Sequence, residues 1–147
     1  MKYIPQFLPM KLMSNAAPAI YNGISVSYPN IVDGRCYFHM MKSMKERPYS
    51  DIKIKNEFLN DLRALSKTHD VNHFDESVKL FLVKYRGHDC KCVTSATSHL
   101  EKVWLSDRNR GWHSGLAPGT VTSNNGLDVT NRVFKSNLKG TITYCLW

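Results

Sequence analysis

Between residues 48 and 105 apolar side chains recur at the spacing of an α-helix. Phe58, Leu59, Leu62 and Leu65 fall on one helical face, and Phe74, Val78, Phe81, Leu82 and Tyr85 form a second such stripe. The pattern predicts two amphipathic helices that pack through those residues. Asp75 or the Asn72-His73 pair is the predicted cap of the second, and a third helix is predicted from Thr97 to Leu105. The earlier part of the chain reads differently. Residues 3–13 are apolar, with interruptions at Pro5 and Pro9, and predict one short strand. Asn15-Ala-Ala-Pro18 has the capping amide and first-turn proline of a helix start, and that helix runs to about Ser27, ahead of Pro29. Arg35-Cys-Tyr-Phe-His39 has the aromatic content of a second short strand, leading into a helix through Met40, Met41 and Met44. From Asp107 to Gly126 the density of Gly, Pro, Ser and Asn predicts a long loop. A last helix follows from Leu127 to about Leu138 and ends at Gly140.

A chain of 147 residues is long enough for one domain with a core and short for two. Its composition is that of an ordinary globular protein and argues against wholesale disorder. The formal charge of +8 suits a partner that carries phosphates, such as DNA, RNA or an anionic membrane surface. Residues 1–13 lack the unbroken apolar stretch and cleavage site of a signal peptide. No stretch approaches the roughly 20 apolar residues that cross a bilayer. The expectation is a soluble, intracellular chain with no membrane partner. Cys36, Cys90, Cys92 and Cys145 are few and unevenly spaced, and Cys90 and Cys92 stand too close to pair readily, so free thiols are expected.

The segment richest in candidate chemistry is Thr122-Ser-Asn-Asn-Gly-Leu-Asp-Val-Thr-Asn-Arg-Val-Phe-Lys135. Asn124, Asn125 and Gly126 form a turn ahead of a helix on which Asp128, Asn131 and Lys135 share one face at i, i+3, i+7. Leu127, Phe134 and Leu138 lie on the other side. An acid, an amide and a lysine projecting together can hold a metal ion and a phosphate backbone. The same spacing also describes a solvated helix face with an ordinary cap, and spacing alone favours that plainer reading.

Further blocks change the balance. Asn30-Ile-Val-Asp-Gly-Arg-Cys-Tyr-Phe-His-Met-Met-Lys42 resembles the strand-to-helix stretch of Mutator-like element (MULE) DNA transposases that carries their Cys-x-x-His motif. Phe7-Leu-Pro-Met-Lys-Leu-Met-Ser-Asn-Ala-Ala-Pro-Ala-Ile20 resembles the strand and helix around the family's second catalytic aspartate. Trp104, Gly111-Trp112 and then the Asn124-Asn125-Gly126 turn resemble the approach to its final acid. The blocks occur in the family's order, and the resemblance spans residues 7 to about 139.

The resemblance implies an α/β, predominantly helical fold: a truncated RNase H-like domain with two residual strands and a helical insertion. Residues 1–47 would hold the strand and helix part, 48–120 the insertion and loop, and 121–140 the helix of the final acid. Intact members of such a family use three carboxylates to hold two Mg²⁺ or Mn²⁺ ions, which activate the attacking oxygen and stabilise the leaving oxygen of a phosphodiester. This chain departs from that pattern. Asn15 stands at the second-aspartate position and brings no charge, Asp128 stands where the family usually has Glu, and the first aspartate has no counterpart. The implication is a chain inactive alone, with DNA and other transposase chains as partners and the nucleus as its location.

Cys36 and His39 match the Cys-x-x-His motif. They can contribute to a zinc site, with ligands from elsewhere such as His88, Cys90 and Cys92, or Cys36 can be a buried strand residue and His39 a packing one. Of the basic residues, Lys42, Lys45, Arg47, Lys53 and Lys55 read as solvated surface, whereas Arg132, Lys135 and Lys139, on the helix of the candidate acid, read with Asn131 as phosphate contacts. Trp104, Trp112 and Tyr85 can stack on bases, but at these positions read more readily as core. A degenerate remnant, a piece that works with a second chain, and a domesticated DNA- or protein-binding module all accommodate these residues.

Overall fold

The computed structural model describes residues 11–14, 18–116 and 118–119. It opens on two strands, β1 (Lys11–Ser14) and β2 (Val32–Arg35), paired in parallel with Lys11 opposite Val32 and Ser14 opposite Arg35. Parallel neighbours need a crossover, and α1 (Pro18–Ser27) supplies it. At Gly34 a Cβ would come within 2.8 Å of the end of the Lys11 side chain, which would have to swing aside.

The second strand lies earlier than its aromatic content predicts. Tyr37, Phe38 and His39 are not extended; they open α2 (Tyr37–Lys45). Pairing decides the boundary. The Cys36 N–H donates to the Ser14 carbonyl at 3.2 Å, and Ser14 is the last residue of β1. From there Met40 and Met44, one helical turn apart, and Met41 beside Met40 are buried in the core.

Two long helices follow as the apolar stripes predict: α3 (Ile52–Ser66) and α4 (Val71–Arg86). Asp51 caps the first by accepting from the Lys53 N–H at 2.7 Å. Asp70, rather than Asp75 or the Asn72-His73 pair, caps the second, accepting from the His73 N–H at 2.8 Å. Asp75 instead pairs with Arg110. Phe58 lies at the centre of the interface, with ring centroids 5.1 Å from Phe81, 4.8 Å from Tyr85 and 5.9 Å from Tyr49. Each such fully buried side chain stabilises the fold by roughly 1.5–3 kcal/mol. At the edge of this interface the Tyr85 hydroxyl donates to Asp61, which also pairs with Lys84, both at 2.8 Å.

The next helix, α5 (Lys91–His99), begins six residues ahead of the predicted Thr97 start and passes into a π-helical turn, Leu100–Trp104. Its buried residues, Val93, Ala96 and Thr97, are small. Cys90 and Cys92 are joined in a disulfide, contrary to the expectation of free thiols. The reason is local. Cys90 is the extended N-cap of α5 and Cys92 its second residue, and an N-cap side chain leans over the first turn toward that position.

The stretch predicted as a loop after Asp107 is irregular but, up to residue 116, packed. Trp112 and His113 are buried, the Trp112 indole donates to the Trp104 carbonyl at 2.8 Å, and a short 3-10 turn, Ser114–Leu116, abuts the start of α4. The described chain is thus mostly helical with a small parallel sheet. Among the described residues no helix is long and apolar enough to cross a membrane.

Candidate functional site

In α/β folds ligands gather beyond the carboxyl ends of parallel strands, and here that end is built around a buried arginine. Arg35, 1% exposed, donates through Nη1 to Ser14 Oγ and to the Asp33 carboxylate, and through Nε to Asn109 Oδ1 at 3.2 Å. Ser14 Oγ donates in turn to Asp33 at 3.1 Å. The Arg35 N–H reaches the Gly111 carbonyl at 2.9 Å, so the segment that leaves the helical bundle is fastened beside β2. Tyr21 of α1 faces both Arg35 and Arg108, whose guanidinium carbons lie 5.4 and 4.5 Å from its ring centre. Buried nitrogens of both arginines have no hydrogen-bond partner. Arg35 and Arg108 thus flank the Tyr21 ring, and Asp33 is the carboxylate paired with Arg35.

Of the residues singled out from sequence, Asn15, Asp128, Asn131, Arg132 and Lys135 lie outside the described residues. So do the last predicted helix and Cys145. The two that are described, Cys36 and His39, sit where β2 gives way to α2. Cys36 is buried as the N-cap of α2, and His39, in the first turn, packs edge-on against Phe38 with centroids 5.8 Å apart. Among the described residues no three His, Cys, Asp or Glu side chains come together as metal ligands. The thiols of Cys90 and Cys92 are tied to each other, and the Cys90 N–H donates to His88 Nδ1 at 3.1 Å. The described residues do not fit zinc. Asp33, the acid at the strand end, is engaged by Arg35, and the Mg²⁺ or Mn²⁺ candidates Asn15 and Asp128 lie outside the described residues.

His39 also lines an open groove of about 430 Å³ with Lys42, Ser43, Glu46, Arg47 and His99. Residues 39, 43, 46 and 47 share one face of α2 and its C-terminal extension, while His99 closes the groove as the last residue of α5. Ser43 Oγ accepts from the Trp104 indole at 3.4 Å and shares a hydrogen bond with His99 Nε2 at 3.1 Å, whose direction follows the tautomer of the ring. Arg47 donates to Ser95 Oγ at 3.2 Å, and Lys42 sits 3.8 Å from Glu46. Burial, reinforced by Arg47, lowers the His99 pKa. No carboxylate among the described residues hydrogen-bonds His99, so Ser43 and His99 lack the third member of an acyl-transfer triad.

Sequence reasoning assigned Lys42 and Arg47 to solvated surface and passed over His99, Arg35 and Asp33. The spacing of 39, 43 and 47 was the available signal for one wall of the groove; nothing local pointed to the other. Tyr85, Trp104 and Trp112 are buried core residues and present no face for a base. Comparison of the chain with protein-family models, with curated proteins and with solved structures finds no match.

Proposed function

We propose that the chain is a segment of a MULE-type transposase on the RNase H-like plan, one that has lost catalysis and kept contact with DNA. The observation that carries the reading is the junction at Cys36. Its N–H is bonded to Ser14, the residue before Asn15, which sets the Cys-x-x-His corner against the end of the strand that precedes the second-acid position. A strand, a crossover helix, a parallel neighbour and then a largely helical stretch, α2 to α5, also follow the family's order. Asn15 argues against catalysis, since an amide adds no charge to hold a pair of divalent ions. The two arginines at the strand end and the formal charge of +8 favour a polyanion, and the reading carries with it a nuclear location.

The test is fluorescence anisotropy of a labelled DNA duplex across a salt series, on chain whose folding is verified by circular dichroism. The expected result is binding that weakens steeply with salt, a shallower slope for the Arg132→Gln, Lys135→Gln double variant, and no cleavage with Mg²⁺ or Mn²⁺. A folded chain that fails to bind, or that cuts DNA as it stands, defeats the proposal.

A further inference from the structure

We propose that the groove between α2 and α5 binds a phosphate group, held by Lys42, Arg47, Ser43 and the imidazoles of His39 and His99. The site uses none of the acids on which the transposase reading depends and stands apart from it.

The inventory of donors makes the case. Around the groove stand an ammonium, a guanidinium, a hydroxyl and two imidazoles, against a single carboxylate. That carboxylate, Glu46, is 66% exposed and only loosely paired with Lys42, so it can swing into water without breaking a buried contact. Arg47 is held in place by its bond to Ser95, yet its Nε is buried with no hydrogen-bond acceptor. A donor left unmet in this way is costly, and a small shift of the guanidinium toward an acceptor in the groove would relieve it. Guanidinium and ammonium together form the usual fork and point charge for phosphate recognition.

Alternatives fit less well. A divalent cation would face two fixed positive charges. An apolar ligand would leave the polar lining unsatisfied. The carbonyls at the C-terminal end of α2 oppose an anion, and the side chains must therefore supply the attraction. His99 can do so by taking up a proton when the anion arrives, which would add to the charges of Lys42 and Arg47. The groups that face His99 are His39, Lys42, Ser43, Glu46 and Arg47 from the α2 side, Ser95 from its own helix through Arg47, and Trp104 through Ser43. Only Glu46 among them is acidic. The volume of about 430 Å³ lies within the range of small-ligand sites and admits a phosphate together with the sugar attached to it, so a free phosphate and a nucleic-acid backbone are both sources of the same group.

The experiment is an NMR titration of the full chain at constant ionic strength, following the His39 and His99 ring signals. Inorganic phosphate is one ligand and a short DNA duplex the other. Phosphate is expected to shift both rings and to move the His99 titration to higher pH. Lys42→Gln, at an exposed position that does not threaten folding, is expected to weaken binding about tenfold, whereas Lys53→Gln, an equal change of charge outside the groove, leaves it unchanged. A response to both ligands identifies the backbone as a source, and a response to phosphate alone identifies a small anion; either supports the site. Rings that respond to neither ligand in the folded chain overturn it, as does an equal loss in the two lysine variants.

Discussion

The imidazole of His113 lies flat against the ring of Phe74, with centroids 3.7 Å apart and planes 4° from parallel. His113 is 1% exposed, and its Nδ1 has no hydrogen-bond partner. Burial, with repulsion from Arg110, pushes its pKa down to about 4, while the unfolded chain keeps the ordinary value near 6.5. Between those values the unfolded state binds a proton that the folded state does not, so stability is full above pH 6.5 and falls as pH drops toward 4. The loss is roughly 3 kcal/mol. Urea midpoints at pH 7 and pH 4.5 should show it, and His113→Leu should remove most of the difference.

Phe58 touches Tyr49, Phe81 and Tyr85 and is fully buried. Phe58→Ala should therefore cost about 3–5 kcal/mol, enough to unfold the helices at room temperature in a marginal chain. Val83, 80% exposed on α4, should tolerate the same truncation within about 0.5 kcal/mol. Thermal melts followed at 222 nm separate the two; equal losses would mean that the α3–α4 interface is misassigned.

Gly115 lies so close to Asp70 that a Cβ would come within 2.6 Å of its backbone. Backbone cannot yield as a flexible side chain does. Gly115→Ala is expected to cost about 1–3 kcal/mol and to loosen the start of α4, whereas a Cβ at Gly87 meets nothing within 4 Å and Gly87→Ala should be neutral or slightly stabilising. Amide exchange at His73 and Phe74 reports the difference directly.

The Cys90–Cys92 bridge closes a loop with a sequence separation of 2. So short a loop removes little freedom from the unfolded chain, and reduction should cost no more than about 2 kcal/mol. Alkylation with and without reductant, read by mass spectrometry on the peptide that holds both cysteines, establishes the bridge. Melts of the double Cys→Ser variant measure its weight.

The long helices were legible because Phe58, Leu62, Leu65, Phe74, Phe81 and Tyr85 bury large side chains at helical spacing, and burial of that size dominates local preference. The start of α5 was not. Lys91-Cys-Val-Thr-Ser-Ala-Thr-Ser-His99 is polar and rich in residues with weak helix propensity, and its buried face is made of small side chains. β2 was misplaced because aromatic residues favour strands in isolation, whereas pairing with β1 selects Val32-Asp-Gly-Arg35, a poor strand by composition. The cap of α4 was missed because Asp70, one residue ahead of the helix, was passed over for Asp75 and the Asn72-His73 pair inside it. As for the groove, His39, Ser43 and Arg47 line up once α2 is known to begin at Tyr37, but His99 lies 56 residues beyond Ser43, and no local pattern reveals a partner at that distance.

The Arg35–Asn109 bond joins residues 74 apart in sequence, with the Gly111 carbonyl fastened alongside. For a featureless chain, closing a loop of that length costs roughly 4 kcal/mol of entropy. Once α2 to α5 have condensed, most of that span is already compact and the closure becomes cheap. This topology favours early condensation of the bundle and later docking of the Asn109–Gly111 segment against β2. The contacts of Arg35 with Asn109 and Gly111 are then expected to open early, and a ligand that binds the folded strand end to slow unfolding there.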